Sequence, residues 1–223
     1  MGIGPVVTVD GPAGAGKSTV SRMLAAELSW YYLDTGALYR ALACRAMEKN
    51  VSPDDPEALR RFCGETNLEL VPSGREFRIL VSGEDVTDRL RSEAVGRFAS
   101  AISAHETVRN ALLPVQRNAA ARGGIVAEGR DMGSVVFPDA RFKFFLTARL
   151  DERAKRRFIE LGERKNLVPY ETVEREIEAR DVRDREREIA PLKIPDGAVV
   201  IDSTDLSIAG VVDKMKSVIF EAT

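Results

Sequence analysis

Nine consecutive residues near the N-terminus, Gly11, Pro12, Ala13, Gly14, Ala15, Gly16, Lys17, Ser18 and Thr19, satisfy the pattern GxxxxGK[ST]. The chemistry such a run can do is to hold a polyphosphate. Its glycines let successive backbone N–H groups turn inward as an anion nest, and a helix starting near Lys17 adds its positive end. Lys17 is placed to reach the β- and γ-phosphates, and the Ser18 hydroxyl to sit on Mg2+. ATP with Mg2+ is therefore the expected donor.

A cradle does not say where the phosphoryl group goes. The chain has no NKxD, which a base-reading GTPase switch needs, and no LSGGQ, which a transporter-type ATPase needs. What remains is a small-molecule kinase, which requires a second pocket facing the first, lined by cations where the acceptor is an anion. Four stretches supply basic groups for it. The turn at Asp34–Gly36 carries Thr35, with Arg40 one turn into the helix beyond, and "EGRDMG" carries Arg130 and Asp131. "DERAKRR" puts Arg153, Arg156 and Arg157 on one helical face; "RDVRDRER" puts Arg180, Asp184 and Arg187 at i, i+4 and i+7. Arginine accounts for 25 of the 33 basic side chains, and its planar fork matches phosphate oxygens in pairs. Glu128, at the end of a strand, stands where a metal-shell acid could.

These residues need elements to hold them. Val6 to Val9 reads as a buried strand ending at Asp10, and Val20, Met23, Leu24 and Leu28 recur at helical spacing after the glycines. Further buried strands are predicted at 30–33, 124–128, 142–146 and 198–201, with helical patterns between most of them and a last helix showing Ile208, Val211, Val212, Met215 and Ile219 on one face. Such alternation predicts a parallel sheet covered on both sides. Two segments break it. Residues 67–87 alternate around "PSGRE" as an antiparallel hairpin. In 151–188 more than half of the side chains are charged, around a break at "NLVP", which suggests two polar helices acting as a mobile flap. A helix over 108–121 contains Pro114, where a kink is expected.

Composition removes other classes. Thirty-three basic and thirty-five acidic side chains give a net charge of −2, without the basic footprint of a protein gripping a nucleic-acid polymer. No apolar run is long enough for a membrane span, and the N-terminus does not read as a signal peptide, so a cytoplasmic location is expected. Cys44 and Cys63 form no zinc spacing, and His105, the single histidine, reads as a boundary residue between helices. Nothing in the sequence demands a partner chain, and a monomer is expected.

The stretches "TVDGPAGAGKST", "LDTGALYRA", "SGEDVT", "VRNALLPVQR", "AEGRDMGSVVFPDA", "ERAKRR", "RDVRDREREIAPL" and "VVIDSTDLSI" resemble the bacterial type of cytidylate kinase, a nucleoside monophosphate kinase family, over nearly the whole chain. The resemblance implies an α/β fold: a single P-loop kinase domain over 1–223 with a five-stranded parallel sheet flanked by helices. It also implies an inserted monophosphate-binding subdomain with antiparallel strands at 41–99 and a helical lid at 151–183. The implied reaction moves the γ-phosphoryl group of ATP to CMP or dCMP. In it Arg40, Arg130 and Arg187 hold the acceptor phosphate, with Thr35 beside them, and Arg180 and Asp184 hold its sugar or phosphate. Lys17, Arg130, Arg153, Arg157 and Arg187 neutralise the group in transit, and Ser100, Arg109 and Asp131 face the cytosine ring. Pro114 departs from the family pattern in the helix that carries Arg109.

The physical reading of these roles is consistent. Cytosine offers an amino donor at C4 and acceptors at O2 and N3, whereas uracil reverses the pattern at C4 and N3. An acid such as Asp131 facing the uracil oxygen would leave acceptor against acceptor, which discriminates strongly. The competing role for Asp131 is that of a loop acid paired with Arg130. A phosphate monoester is already ionised near neutral pH, so no base is required and charge neutralisation is the need. An alcohol acceptor would instead call on a carboxylate, and Asp34 is the obvious one; its other role is to order the turn or metal-bound water. Kinases of similar architecture for UMP, AMP or a small alcohol therefore stay open, as does a nucleotide-binding switch.

Overall fold

The computed structural model describes residues 4–90, 92–163 and 168–221. Strand β1 (Val6–Asp10) lies at the centre of a five-stranded sheet with β2 (Tyr31–Asp34), β6 (Ile125–Gly129), β7 (Phe142–Thr147) and β8 (Val199–Asp202), in the order β2-β6-β1-β7-β8. Every pairing is parallel. Helix α1 (Lys17–Leu28) follows the glycine loop, and α8 (Ile208–Glu221) closes the described chain. The sheet strands start or end within a residue or two of their predicted bounds. Trp30, expected in β2, instead donates its N–H to the Ala25 carbonyl at 2.9 Å and ends the turn after α1.

Strand alternation sorts the core into two layers. Val7, Val9, Val126 and Phe144 face α1 and α8, packing on Val20, Leu24, Val212 and Met215. Val6, Leu33, Ile125 and Ala127 face the other layer, built from α2 (Thr35–Glu48), α3 (Pro56–Glu65), α4 (Glu93–Ile102) and α5 (Glu106–Ala119). The helix starts are set locally. Asp34 caps α2 by accepting the Ala37 N–H at 2.9 Å, Asp55 caps α3, and Ser92 caps α4.

Between α3 and α4 lies a separate antiparallel sheet, β3 (Leu68–Ser73), β4 (Glu76–Val81) and the two-residue β5 (Glu84–Asp85). The alternation in the sequence gives the hairpin; β5 is too short to leave a pattern. The hairpin tip covers the open edge of the main sheet, because the Arg75 carbonyl accepts the Tyr32 N–H at 2.8 Å and Phe77 packs on Tyr31.

Helix α5 runs from Glu106 to Ala119 with Pro114 inside it. Pro114 and Asn110, whose carbonyl loses its helical donor, are both exposed, so water can take the place of that donor. The charged segment forms α6 (Leu150–Glu163) and α7 (Tyr170–Glu186), which share a small apolar cluster of Ala154, Leu161, Val173 and Ile177. The predicted break between them falls partly on residues 164–167, outside the described residues. No helix among the described residues is long and apolar enough to cross a membrane.

Candidate active site

The glycine loop leaves β1 at Asp10 and enters α1 at Lys17. Two of its glycines are required by space as well as by backbone conformation. A Cβ on Gly11 (φ +148°) would lie 1.9 Å from the Leu146 carbonyl oxygen, and one on Gly14 (φ +76°) would lie 2.9 Å from that of Arg153. The loop is also tied from behind. The Ala13 carbonyl accepts from Arg153 at 3.1 Å, and the Ala15 carbonyl accepts from the Ser203 hydroxyl at 3.1 Å. Pro12 accepts from the Lys17 ammonium at 2.7 Å. Gly16 opens α1 with φ 88°, and Ser18 and Thr19 are exposed on its first turn.

Opposite the loop the predicted basic residues converge. Arg130, after β6, donates to Asp184 of α7 at 2.8 Å. Arg40 donates to Asp34 at 2.7 Å. Arg180 lies among Arg130, Asp184, Arg40 and Arg157, and its Nε is buried with no hydrogen-bond partner. Burial and then Arg130 lower the Lys17 ammonium to about 7; burial and then Arg130 lower the Arg180 guanidinium to about 10, with Arg40 and Arg157 adding to it. Such depression is what a buried cation suffers when other cations stand close to it, whereas Arg130 itself, paired with Asp184, is raised.

The "GRDMG" loop forms the next wall. Asp131 is buried and pairs with Arg109 of α5 and, at 3.6 Å, with Arg187 after α7. It does not pair with Arg130, which corrects that competing reading. Arg109 also donates to the Ser103 carbonyl at 3.2 Å and lies over the Tyr39 ring at 5.6 Å. The Ser100 hydroxyl is buried without a partner. Thr35 is buried and donates to the Glu128 carbonyl at 2.7 Å, so its hydroxyl ties α2 to the end of β6.

Two arginines of α6 are already engaged within the protein. Arg153 donates to the Ala148 carbonyl at 2.9 Å and to Asp181 of α7 at 2.5 Å in addition to Ala13, strapping both polar helices to the glycine loop. Arg157 pairs with Glu93 at the start of α4 and with Glu160. Arg156, on the same helical face, holds the Ser203 carbonyl at 2.7 Å. Asp34 spends one oxygen on the α2 cap and the other on Arg40, which leaves it a turn-ordering residue and no free base.

Of three further buried groups in the site, Asp10 and Tyr32 have no role in the sequence reading, and Glu128 stands there only as a candidate metal-shell acid. Asp10 accepts the backbone N–H groups of Met132 and Gly133, both at 2.8 Å. Tyr32 donates to Glu128 at 2.5 Å, although Tyr32 pairs with Val126, two residues earlier on β6. Glu128 stands beside Ser18 and Lys17, and burial followed by Asp34 raises its carboxyl above the usual range. A signal existed for Asp10: a carboxylate at the end of an entirely apolar buried strand must find donors somewhere.

A strand, a glycine loop and a helix N-terminus under a parallel sheet, beside buried basic groups that repel one another, define the P-loop nucleotide-binding class. The family model described as cytidylate kinase matches residues 7–221. A curated cytidylate kinase of Geobacter sulfurreducens is 44% identical over 218 residues, covering 98% of this chain and 94% of that protein. One of Citrifermentans bemidjiense is 43% identical with the same coverage. The chain belongs to the cytidylate kinase family. Among solved structures, an uncharacterized protein from Eubacterium ventriosum aligns at a TM-score of 0.52 and 13% identity over 97% of this chain and 98% of that one, a likeness of fold alone.

Proposed function

We propose that the protein transfers the γ-phosphoryl group of ATP to CMP or dCMP, releasing ADP and CDP or dCDP. The observation that carries this reading is the group of basic side chains beside the glycine loop: Lys17 and Arg180 are each depressed by burial and by Arg130, and the buried Arg180 Nε has no hydrogen-bond partner. One polyphosphate on the glycine loop and one monophosphate opposite it would relieve that repulsion. The family membership supports the choice of acceptor.

The glycine loop and Lys17 hold the β- and γ-phosphates of ATP. Arg40, Arg130, Arg180 and Arg187 hold the phosphate and sugar side of the acceptor, with Asp184 fixing Arg130 between them. Asp131, Arg109 and the unpartnered Ser100 hydroxyl read the base. The acceptor oxygen is already ionised, so no group needs to remove a proton, and Asp34 is not required as a base. Helices α6 and α7 act as the lid over 151–183, and the segment 41–99 acts as the monophosphate-binding insertion. Arg157 and Glu93 link the two across the acceptor pocket. Arg153 acts as the strap that keeps the lid in register with the glycine loop, and its part in neutralising the transferring group follows lid closure.

Mg2+ fits the residues present. Ser18 offers a hydroxyl oxygen at the mouth of the loop, and Glu128 offers a carboxylate beside it. No group of three or more His, Cys, Asp or Glu able to cage a metal exists among the described residues, and Mg2+ held by one or two protein oxygens plus substrate phosphates needs none. When bound, Mg2+ supplies charge neutralisation on the donor phosphates.

The test is an acceptor panel. Purified protein with ATP and Mg2+ is offered CMP, dCMP, UMP, AMP and a small alcohol, and diphosphate products are resolved by ion exchange. CDP formation well ahead of UDP and ADP-from-AMP supports the reading; absence of CDP overturns it.

A further inference from the structure

Asp10 is fully buried at the end of β1, and its two carboxylate oxygens are both engaged: one accepts the Met132 N–H and the other the Gly133 N–H, each at 2.8 Å. These amides directly follow Asp131. The Asp131 carbonyl in turn accepts the N–H groups of Val135 at 2.9 Å and Val136 at 3.2 Å, so the loop closes into a wide helical turn over Met132–Val136. Asp10 therefore anchors the start of that turn. On its other side Gly11 begins the phosphate loop, with no residue between.

The surroundings leave this turn little other freedom. A Cβ on Gly133 would come within 2.9 Å of the Thr8 hydroxyl and 3.0 Å of Pro195, and one on Gly129 within 2.7 Å of the Thr35 hydroxyl. A turn packed this closely can shift only if the anchor shifts. The side chain it aims is Asp131, which receives Arg109 from α5 and Arg187 from beyond α7. A displacement of the Met132 and Gly133 amides is thus transmitted to both arginines.

We propose that Asp10 is a positioning residue for base selection: by clamping the two amides after Asp131 it fixes the carboxylate that tells cytosine from uracil, and it holds that carboxylate in register with the phosphate loop. This rests on the reading above of Asp131 as a base-facing group. Asp10 touches neither nucleotide and acts only through the loop. A neutral amide at this position cannot do the same work, since Asn offers one acceptor oxygen and turns an NH2 group toward the second N–H, donor against donor.

The experiment compares Asp10→Asn and Asp10→Glu with the wild-type protein, measuring kcat/KM for CMP and for UMP at saturating ATP, and KM for ATP at saturating CMP. The ratio of the two kcat/KM values does not depend on the fraction of protein that is folded. The expected result is a fall of about tenfold or more in the CMP/UMP ratio for both variants, carried by a raised KM for CMP, with the KM for ATP within about twofold of wild type. An unchanged ratio in a folded variant overturns the proposal. So does failure of both variants to fold, which would make Asp10 a determinant of architecture and not of position. Wild-type protein that makes no CDP refutes the function itself; wild-type CDP formation with an unaltered ratio in the variants refutes only the role of Asp10.

Discussion

The Asp10 carboxylate makes a stability prediction whose sign differs from that of most native carboxylates. Burial raises it from 3.8 to about 6; the Met132 and Gly133 N–H bonds oppose the shift, Asp131 adds to it and Lys17 reduces it. Because the folded protein holds this proton more tightly than the unfolded chain, the stability contribution is fully present below pH 3.8 and is lost as the pH rises through 6. A shift of about 2 units corresponds to about 3 kcal/mol, of which about 2 kcal/mol falls between roughly pH 4.5 and 8. Asp10→Asn removes the titration. It also removes an acceptor, a penalty that does not vary with pH and so drops out of the comparison. Relative to the variant, the wild-type protein should therefore lose about 2 kcal/mol on going from about pH 4.5 to 8, seen as a relative fall of about 4–8 °C in Tm. The assay is thermal unfolding of both proteins without nucleotide at closely spaced pH values. Asp131 and Lys17, the charged neighbours, are common to both. Parallel Tm curves across the range would refute the reasoning, as would a divergence of the opposite sign.

Other substitutions probe separate parts of the site. Arg180→Met removes a buried cation repelled by Arg130, Arg40 and Arg157, and is expected to raise Tm while lowering kcat/KM for CMP by about 100-fold, checked by melting and steady-state kinetics. Lys17→Ala should abolish turnover and leave the far-ultraviolet circular dichroism spectrum unchanged; full activity would remove Lys17 from phosphate binding. Gly11→Ala must displace the Leu146 carbonyl or the loop itself, since the added carbon lies 1.9 Å from that oxygen, and is expected to cost about 3 kcal/mol or more by urea midpoint.

The parts of the site legible in the sequence are those whose chemistry is local. The phosphate loop declares itself because the backbone does the binding, and only glycine at Gly11 and Gly14 lets that backbone form. The central strands of the main sheet are apolar runs because both faces are covered, and their parallel pairing follows from alternation with helices, whereas their order does not. The inserted sheet showed its hairpin through period-two spacing but not β5, whose two exposed residues carry no pattern. The arginines were visible as types and helical spacings. Their division of labour was not, because a guanidinium can serve a phosphate, a carbonyl or a carboxylate equally well, and Arg153 takes a carboxylate and two carbonyls. Asp10 and Tyr32 went unassigned, and the partners of Glu128 unseen, for a related reason. Their partners are about a hundred residues away in sequence, so no spacing could connect them.

The same three shifts also bear on how the site is built. Lys17 at about 7, Arg180 at about 10 and Asp10 at about 6 are each displaced toward their neutral forms, and for each the largest cause is burial. An architecture selected for stability alone would replace such groups with apolar ones of similar volume. Retaining them makes sense where the charges have work to do when ligands arrive. Under the proposed function that work is direct for Lys17 and Arg180, because the anionic oxygens of the two nucleotides would reverse the repulsion that Arg130 imposes on both. For Asp10 it is indirect, because no ligand reaches it. Its charge is directed at two amide groups, and their position matters only through Asp131. On the proposed reading the repelling cations and buried Asp10 belong to one design, in which repulsion held in the protein is turned into affinity for phosphate, and Asp10 keeps the loop of Asp131 in place while that happens.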